Sequence, residues 1–360
     1  TMLMSPRRTF QNCGNSSSEI GVHICGADRV GQFPHMRETG ILEELRLANI
    51  FRNPQAELSI WDLVLYDRCL RQENLHLLLN CSVLHAECAD NAIASVLGWQ
   101  LSTQTWHTVE AAVYADCSGD AILAPLAKAE FRRGREARGE FNESLAPEQA
   151  DNKTMGLAHI YYTRVYDRPM EFIPYGWARV IETCDELPWG AGNHQELRYT
   201  PWWCELGGEN DTIHDSEKIR DALFKLNLGL WDHIKNRACE HRDAARNRAI
   251  SQLSFVPGRR ESRRYVGLHL LTQNDIAAGG KFPDVVAYGG WTLDDHHPAG
   301  VDSFRRHGQP PNRHAAVPVP YGIPYRALVS KNVANLMFAG RNASCTHIAM
   351  SSTRVMGTCA

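Results

Sequence analysis

Asp294-Asp295-His296-His297 is a dense run of chemically capable side chains, two carboxylates followed by two imidazoles. Such groups move protons, and they also ligate zinc or iron. In extended backbone, consecutive side chains point to opposite faces, so four adjacent residues seldom converge on one ion. The metal reading, and with it a metal-dependent hydrolase, ranks below two others: a histidine of this stretch, His296, meets a substrate or cofactor, or it is a hydrogen-bonded structural group. Arg259, Arg260, Arg263 and Arg264 form a second concentration. Guanidinium groups hold carboxylates in bidentate fashion, and the same four suit a charged segment that bridges two parts of a fold. Gly14-Asn15-Ser16-Ser17-Ser18 offers hydrogen-bond donors without bulk, a composition shared by polar surface loops. In Asp116-Cys117-Ser118-Gly119-Asp120, Cys117 lacks a second cysteine at CxxC spacing and reads as a small packed residue. Asp116 and Asp120 read as turn or helix caps. Tyr199, Trp202 and Trp203 either fill a core or stack on a sugar ring.

The elements that must position these residues follow from periodicity. Residues 1 to 4 read as the tail of a strand, a short helix is expected around Ile41 to Ile50, and Ser59-x-x-Asp62 reads as a capping box opening a second helix. Leu75 to Val83 and Ser95 to Leu101 are strand-like, and Val109, Ala111, Val113 and Ala115 alternate toward the Asp116 turn. Ala121 to Phe131 has helix-forming composition, so a strand, a Gly-containing turn and a helix start follow one another, as where α/β folds bind phosphates. Thr212-x-x-Asp215 opens a long helix on which Ile219, Leu223, Leu226 and Leu230 share a face. Val333 to Ala339 reads as a buried strand running into Gly340-Arg341, and Ser351 to Ala360 as a helix start capped by Ser351 and Ser352. Pro310 to Pro324 reads as a proline-rich loop.

Composition narrows the function classes. The chain has 360 residues, 43% of them apolar, enough for more than one core, and 38 basic against 41 acidic residues give a net charge of −3. No global basic field argues for nucleic acid. No apolar stretch reaches the roughly 18 residues of a membrane helix. The 11 cysteines are scattered without a CxxC pair, which suggests a reducing compartment and a cytoplasmic location.

Four segments occur in one order: Cys13-Gly14-Asn15-Ser16-Ser17-Ser18-Glu19-Ile20, Ala115-Asp116-Cys117-Ser118-Gly119-Asp120, Gly258-Arg259-Arg260-Glu261-Ser262-Arg263-Arg264, and Asn335-Leu336-Met337-Phe338-Ala339-Gly340-Arg341-Asn342. Together they resemble the FAD-dependent oxidoreductase family related to fumarate reductase flavoproteins, with its glutathione-reductase-like FAD-binding fold. The resemblance runs through nearly the whole chain. It implies an α/β protein with a Rossmann-like FAD-binding domain and an inserted α+β substrate domain. The division expected is 1–120 for the first part of the FAD-binding domain, 121–262 for the inserted cap, and 263–360 for the returning part. No G-x-G-x-x-G is present. The first βα turn is therefore missing, and the chain reads as a fragment cut at both ends.

Residue by residue, the resemblance implies that Gly14, Asn15, Ser16, Ser17 and Ser18 line FAD near the isoalloxazine and phosphates. Val83 would lie at the adenine side, and Ser118 and Gly119 in the turn flanking the ADP half. Gly340 would abut the ribityl chain. Arg341 stands where the family group often carries an acid, and is suited to pair with phosphate. Ser351, Ser352, Thr353 and Arg354 would set a helix N-terminus at the flavin O2 edge, stabilising the charge of reduced flavin. His347 lies between the ribityl-side glycine and that helix. His347, His296 and Arg354 are the expected catalytic residues, and no metal is expected. The implied reaction exchanges a hydride between flavin N5 and a small-molecule substrate, carboxylate-bearing or sugar-like, with the second electron partner unnamed. The alternative is a scaffold that no longer binds FAD.

Overall fold

A computed structural model describes residues 1–4, 11–27, 36–189, 197–237 and 240–360. Strand Met2–Met4 pairs in parallel with His76–Leu78, and the helices Gly40–Arg52 and Leu58–Leu70 lie between them in sequence. Parallel neighbours need such a crossover, because a tight turn joins only antiparallel strands. Trp61, Val64 and Leu65 of the second helix are buried with Leu45, Ala48, Leu77 and Leu79 packed around them. Cys81–Ala89, Ala92–Gln100 and Thr105–Glu110 then form an antiparallel meander. Its first turn, Asp90-Asn91, has φ of 49° and 60°, the left-handed pair that suits the twist of a two-residue hairpin. A second parallel pairing joins Tyr114–Asp116 to Leu336–Phe338 across more than two hundred intervening residues.

Between these partners the chain builds a separate apolar cluster. Ile219, Leu223, Leu226, Leu230, Trp231 and Ile234 line one face of helix Ser216–Asn236 and pack with Leu157, Tyr161, Ile181 and Trp203. Strand Leu157–Ala158 lies between Glu205–Leu206 and Gly258–Arg259, while Tyr161–Val165 pairs with Arg248–Leu253. Another cluster unites the meander with Tyr265, Leu336 and Phe338. A further one gathers Leu271, Leu293, Tyr321, Ile348 and Met350, where Leu293–His296 pairs with Asn312–Ala315 and Val285–Gly289 with Tyr321–Pro324. The mixed helices and strands, with the parallel pairings named above, are compatible with the expected α/β class. No helix among the described residues is long and apolar enough to cross a membrane.

Several element boundaries differ from the periodicity reading, each for a local reason. Helix Leu58–Leu70 starts from Glu57, so Ser59 and Asp62 lie inside it; Asp62 accepts from the Ser18 amide at 3.2 Å instead of capping. The long helix starts at Ser216 after Asp215, and Thr212 donates its hydroxyl to the Glu261 carbonyl at 2.9 Å. The helix expected over 121–131 is confined to Leu123–Ala127, stopped by left-handed Lys128; Phe131–Arg132 pairs instead with Arg264–Tyr265. Leu75 to Val83 is two strands, divided at Asn80 with φ 56°. The proline-rich segment contributes strands Asn312–Ala315 and Tyr321–Pro324. Ser351 and Ser352 do not open a helix. They sit within His347–Thr353, capped by the Thr346 hydroxyl, which accepts from the Ala349 amide at 3.2 Å. A new helix, Met356–Cys359, begins after extended Val355.

Candidate functional site

The four segments that are distant in sequence meet at two aspartates. Asp116 ends its strand; its carboxylate accepts from the Ser118 and Leu123 amides at 2.8 and 2.9 Å, and from the Tyr265 hydroxyl at 2.6 Å. Its carbonyl accepts from the Asn342 side chain at 3.1 Å. Asp120 receives Arg259, Arg341 at 2.9 Å and the Ser262 hydroxyl at 2.6 Å. Burial would raise the Asp120 carboxyl, but the Arg341 and Arg259 guanidiniums bring it down to about 2. Asn15 extends the arrangement, an open ring of loops around Asp120: its side chain donates to the Arg259 carbonyl at 2.9 Å and accepts from the Arg259 amide at 3.2 Å.

Three glycines here hold positive φ. Gly119 has φ 75°, and a Cβ would stand 2.6 Å from the Arg341 guanidinium. Gly14 has φ 51°, a conformation that favours glycine, with no atom of the described residues within 4 Å of the position a Cβ would take. Gly340, at φ 100°, turns the chain out of its strand toward Arg341. Around the ring, Ser17 Oγ, Arg259 Nε, Arg341 Nε and Asn342 Oδ1 are buried without a hydrogen-bond partner. Ser16 accepts from the Trp61 indole at 3.3 Å, and Ser18 bonds to Asp62. Ser118 Oγ accepts from the Ile122 amide at 3.3 Å. Val83 is half-buried in the meander and packs on the cluster that includes Leu123 and Tyr265.

The expected catalytic residues converge on one strand, Leu293–His296. His296 has Nδ1 2.8 Å from Glu205 Oε1 and Nε2 3.1 Å from Asp294 Oδ2. Arg354 donates to the Asp294 carbonyl at 3.1 Å, lies 3.5 Å from its carboxylate, and keeps a buried Nε without a partner. Burial would raise the Asp294 carboxyl; His296 and Arg354 hold it well below the usual carboxylate range. Arg260 pairs with Glu205 at 2.7 Å and donates to the Trp202 carbonyl at 3.0 Å. The Trp202 ring stands edge-on to His296 at 5.6 Å and is 43% exposed, whereas Trp203 is core.

On the other face of the same strand, Asp295 lies 2.9 Å from His347 Nε2, and both Glu261 oxygens reach His347 Nδ1. Burial favours a neutral ring, but Glu261 and Asp295 outweigh it and raise the His347 pKa to about 10. Fully buried Arg264 binds Glu261 and, at 2.8 Å, Glu136, whose second oxygen accepts from the His347 amide. The four clustered arginines therefore bridge, each to a separate partner: Arg263 reaches the Ala121 carbonyl at 3.2 Å. Ser351 and Ser352 spend their hydroxyls on the Ile348 and Trp291 carbonyls. The helix start nearest Arg354 is at Met356, where the Gly357 amide donates to the Cys25 carbonyl at 2.6 Å.

Sequence reasoning missed Glu205, Glu261 and Glu136. Glu261 lies 86 residues from its histidine and Glu205 lies 91 from its own, so no local spacing marked them. For Asp294 and Asp295 the signal was present, since alternation assigns them to opposite faces. Among the described residues, no group of three His, Cys, Asp or Glu side chains is arranged to hold a metal ion.

No curated protein matches the chain. The profile of a family described as FAD dependent oxidoreductase matches residues 13–360, a span that begins with the Gly14 loop and contains both aspartate hubs and both histidine centres. The chain belongs to the FAD dependent oxidoreductase family.

Proposed function

We propose that this protein exchanges a hydride between flavin N5 and a small, hydroxyl-bearing substrate at the His296 centre, with FAD held by the loops around Asp120. The family makes FAD the cofactor. The donor set fits it: buried, unpartnered Ser17 Oγ, Arg259 Nε and Arg341 Nε suit an anionic and hydroxyl-rich group. When bound, FAD supplies the two-electron chemistry. In this reading Gly14 to Ser18, Ser118, Gly119, Gly340 and Arg341 hold it, and Val83 contributes on the adenine side.

The protein's own work is positioning and proton transfer. His296 has both ring nitrogens on carboxylates, Nδ1 on Glu205 and Nε2 on Asp294, so in this reading the longer Asp294 contact opens for the substrate hydroxyl, whose proton Nε2 receives while Glu205 keeps the Nδ1 hydrogen. Arg354 steadies Asp294, and exposed Trp202 offers an aromatic face beside the imidazole, which favours a sugar-like substrate over a bare carboxylate. Here His347 positions: with both nitrogens engaged and 1% exposure, it fixes the strand that carries Asp294 and His296. Residues 121–262 form the cap in this reading, because they supply Glu205 and Trp202.

The observation that carries the proposal is the pairing of His296 and Arg354 through Asp294. Its test is anaerobic flavin reduction with a panel of polyols and hydroxy acids. His296→Gln is expected to slow reduction by about a hundredfold with FAD still bound. An unchanged rate removes His296 from the chemistry.

A further inference from the structure

Cys184 packs against the apolar cluster built on helix Ser216–Asn236, and His233 lies on that helix; neither is bonded to either histidine centre in the contacts described above. Cys184 opens a 3-10 turn, Cys184–Glu186, fixed by a reciprocal capping box between Thr183 and Glu186. His233, in the last turns of the long helix, is fully buried. Its Nδ1 lies 3.0 Å from the Ile181 carbonyl, and a carbonyl only accepts, so Nδ1 carries the hydrogen. The bare Nε2 therefore faces Cys184 Sγ, at 3.3 Å. A thiol, an imidazole in a set tautomer and an acceptor that sets it are the parts of an activated nucleophile.

We propose that Cys184 and His233 form a reactive thiol–imidazole pair that takes small electrophiles, hydroperoxides in particular. The thiol is half-buried, flanked by exposed Glu182, Thr183 and Asp185, so access is limited to small reagents. The Cys184 proton passes to His233 Nε2, and the sulfur pair attacks one peroxide oxygen. The S–O bond forms as the O–O bond breaks, and the leaving alkoxide or hydroxide takes the proton back from Nε2. Sulfur is oxidised by two electrons to a sulfenic acid and the peroxide is reduced to alcohol or water. Burial keeps His233 below its ordinary pKa and hence a base at neutral pH. The charged groups facing it are Glu186 from the turn and Asp232 and Arg237 from its own helix, with Arg237 paired to Glu182 at 2.6 Å and to Asp232 at 2.9 Å.

The test is the rate of iodoacetamide labelling at Cys184, resolved by peptide mass spectrometry between pH 6 and 9, with exposed Cys88 as internal reference. At pH 7 Cys184 is expected to label about tenfold faster than Cys88, with a flatter pH profile. His233→Gln is expected to bring the two rates together. Labelling at or below the Cys88 rate across the range overturns the pair, and this wild-type profile decides even where the variant fails to fold. Peroxide followed by dimedone is expected to leave its adduct on Cys184. A thiol that alkylates fast but yields no adduct overturns the hydroperoxide assignment.

Discussion

His296 and His347 are each held between two carboxylates, one from Leu293–His296 and one from the segments between 205 and 261. Both are buried, and what separates them is their surroundings: the half-exposed Trp202 ring and the exposed His314 lie near the first, and fully buried Arg264 backs the second. The His347 ionisation makes a stability prediction. Its folded pKa of about 10 lies above the ordinary value near 6.5, so the imidazolium contributes in full below 6.5 and its contribution is lost as pH rises toward 10. Thermal unfolding followed from pH 6 to 10 should show the wild-type midpoint falling more steeply than that of His347→Gln. Parallel curves would mean that the imidazole is neutral in the fold. His296 and His347 were legible in the sequence as candidates, but their partners were not. A lone glutamate carries no pattern, and only folding brings Glu205 and Glu261 to them.

At the level of elements, alternation and 3.6-residue periodicity found the middle strand of the meander, the buried strand before Gly340 and the long helix, while the alternation over 109–115 spans the end of one strand and the start of the next. Caps were less legible. Ser59, Thr212 and Ser351 each look like helix starts, and tertiary bonds instead employ the Thr212 and Ser351 hydroxyls or leave Ser59 inside a helix begun one residue earlier. The true cap before His347 is Thr346, whose hydroxyl both receives the Ala349 amide and donates to buried Glu143 at 2.5 Å. Thr346→Ala should destabilise the protein by about 1 kcal/mol or somewhat more, since it removes a cap and a partner of a buried carboxylate. Urea unfolding measures this directly; a midpoint equal to wild type would show that the helix is held by packing alone.

Across the whole molecule, the resemblance carried what periodicity could not: which loops meet. It makes the motifs one cofactor-binding set, while Asp120 in the sequence reads as a cap; the structure links Asn15 to Arg259, and Arg259 and Arg341 to Asp120. The position of Ser351 and Ser352 inside a helix marks where a template outran this chain's own geometry. The central claim is that the loops around Asp120 hold FAD. The direct measurement is the visible spectrum of the gel-filtered protein, in the full length in which the cell makes it, after incubation with FAD, beside an Arg341→Ala variant. The account predicts a coeluting flavin with a shifted absorption band in the wild type and about tenfold weaker retention in the variant, as one charge-assisted contact is lost. A colourless wild-type peak, or a variant that retains flavin as tightly, would contradict it.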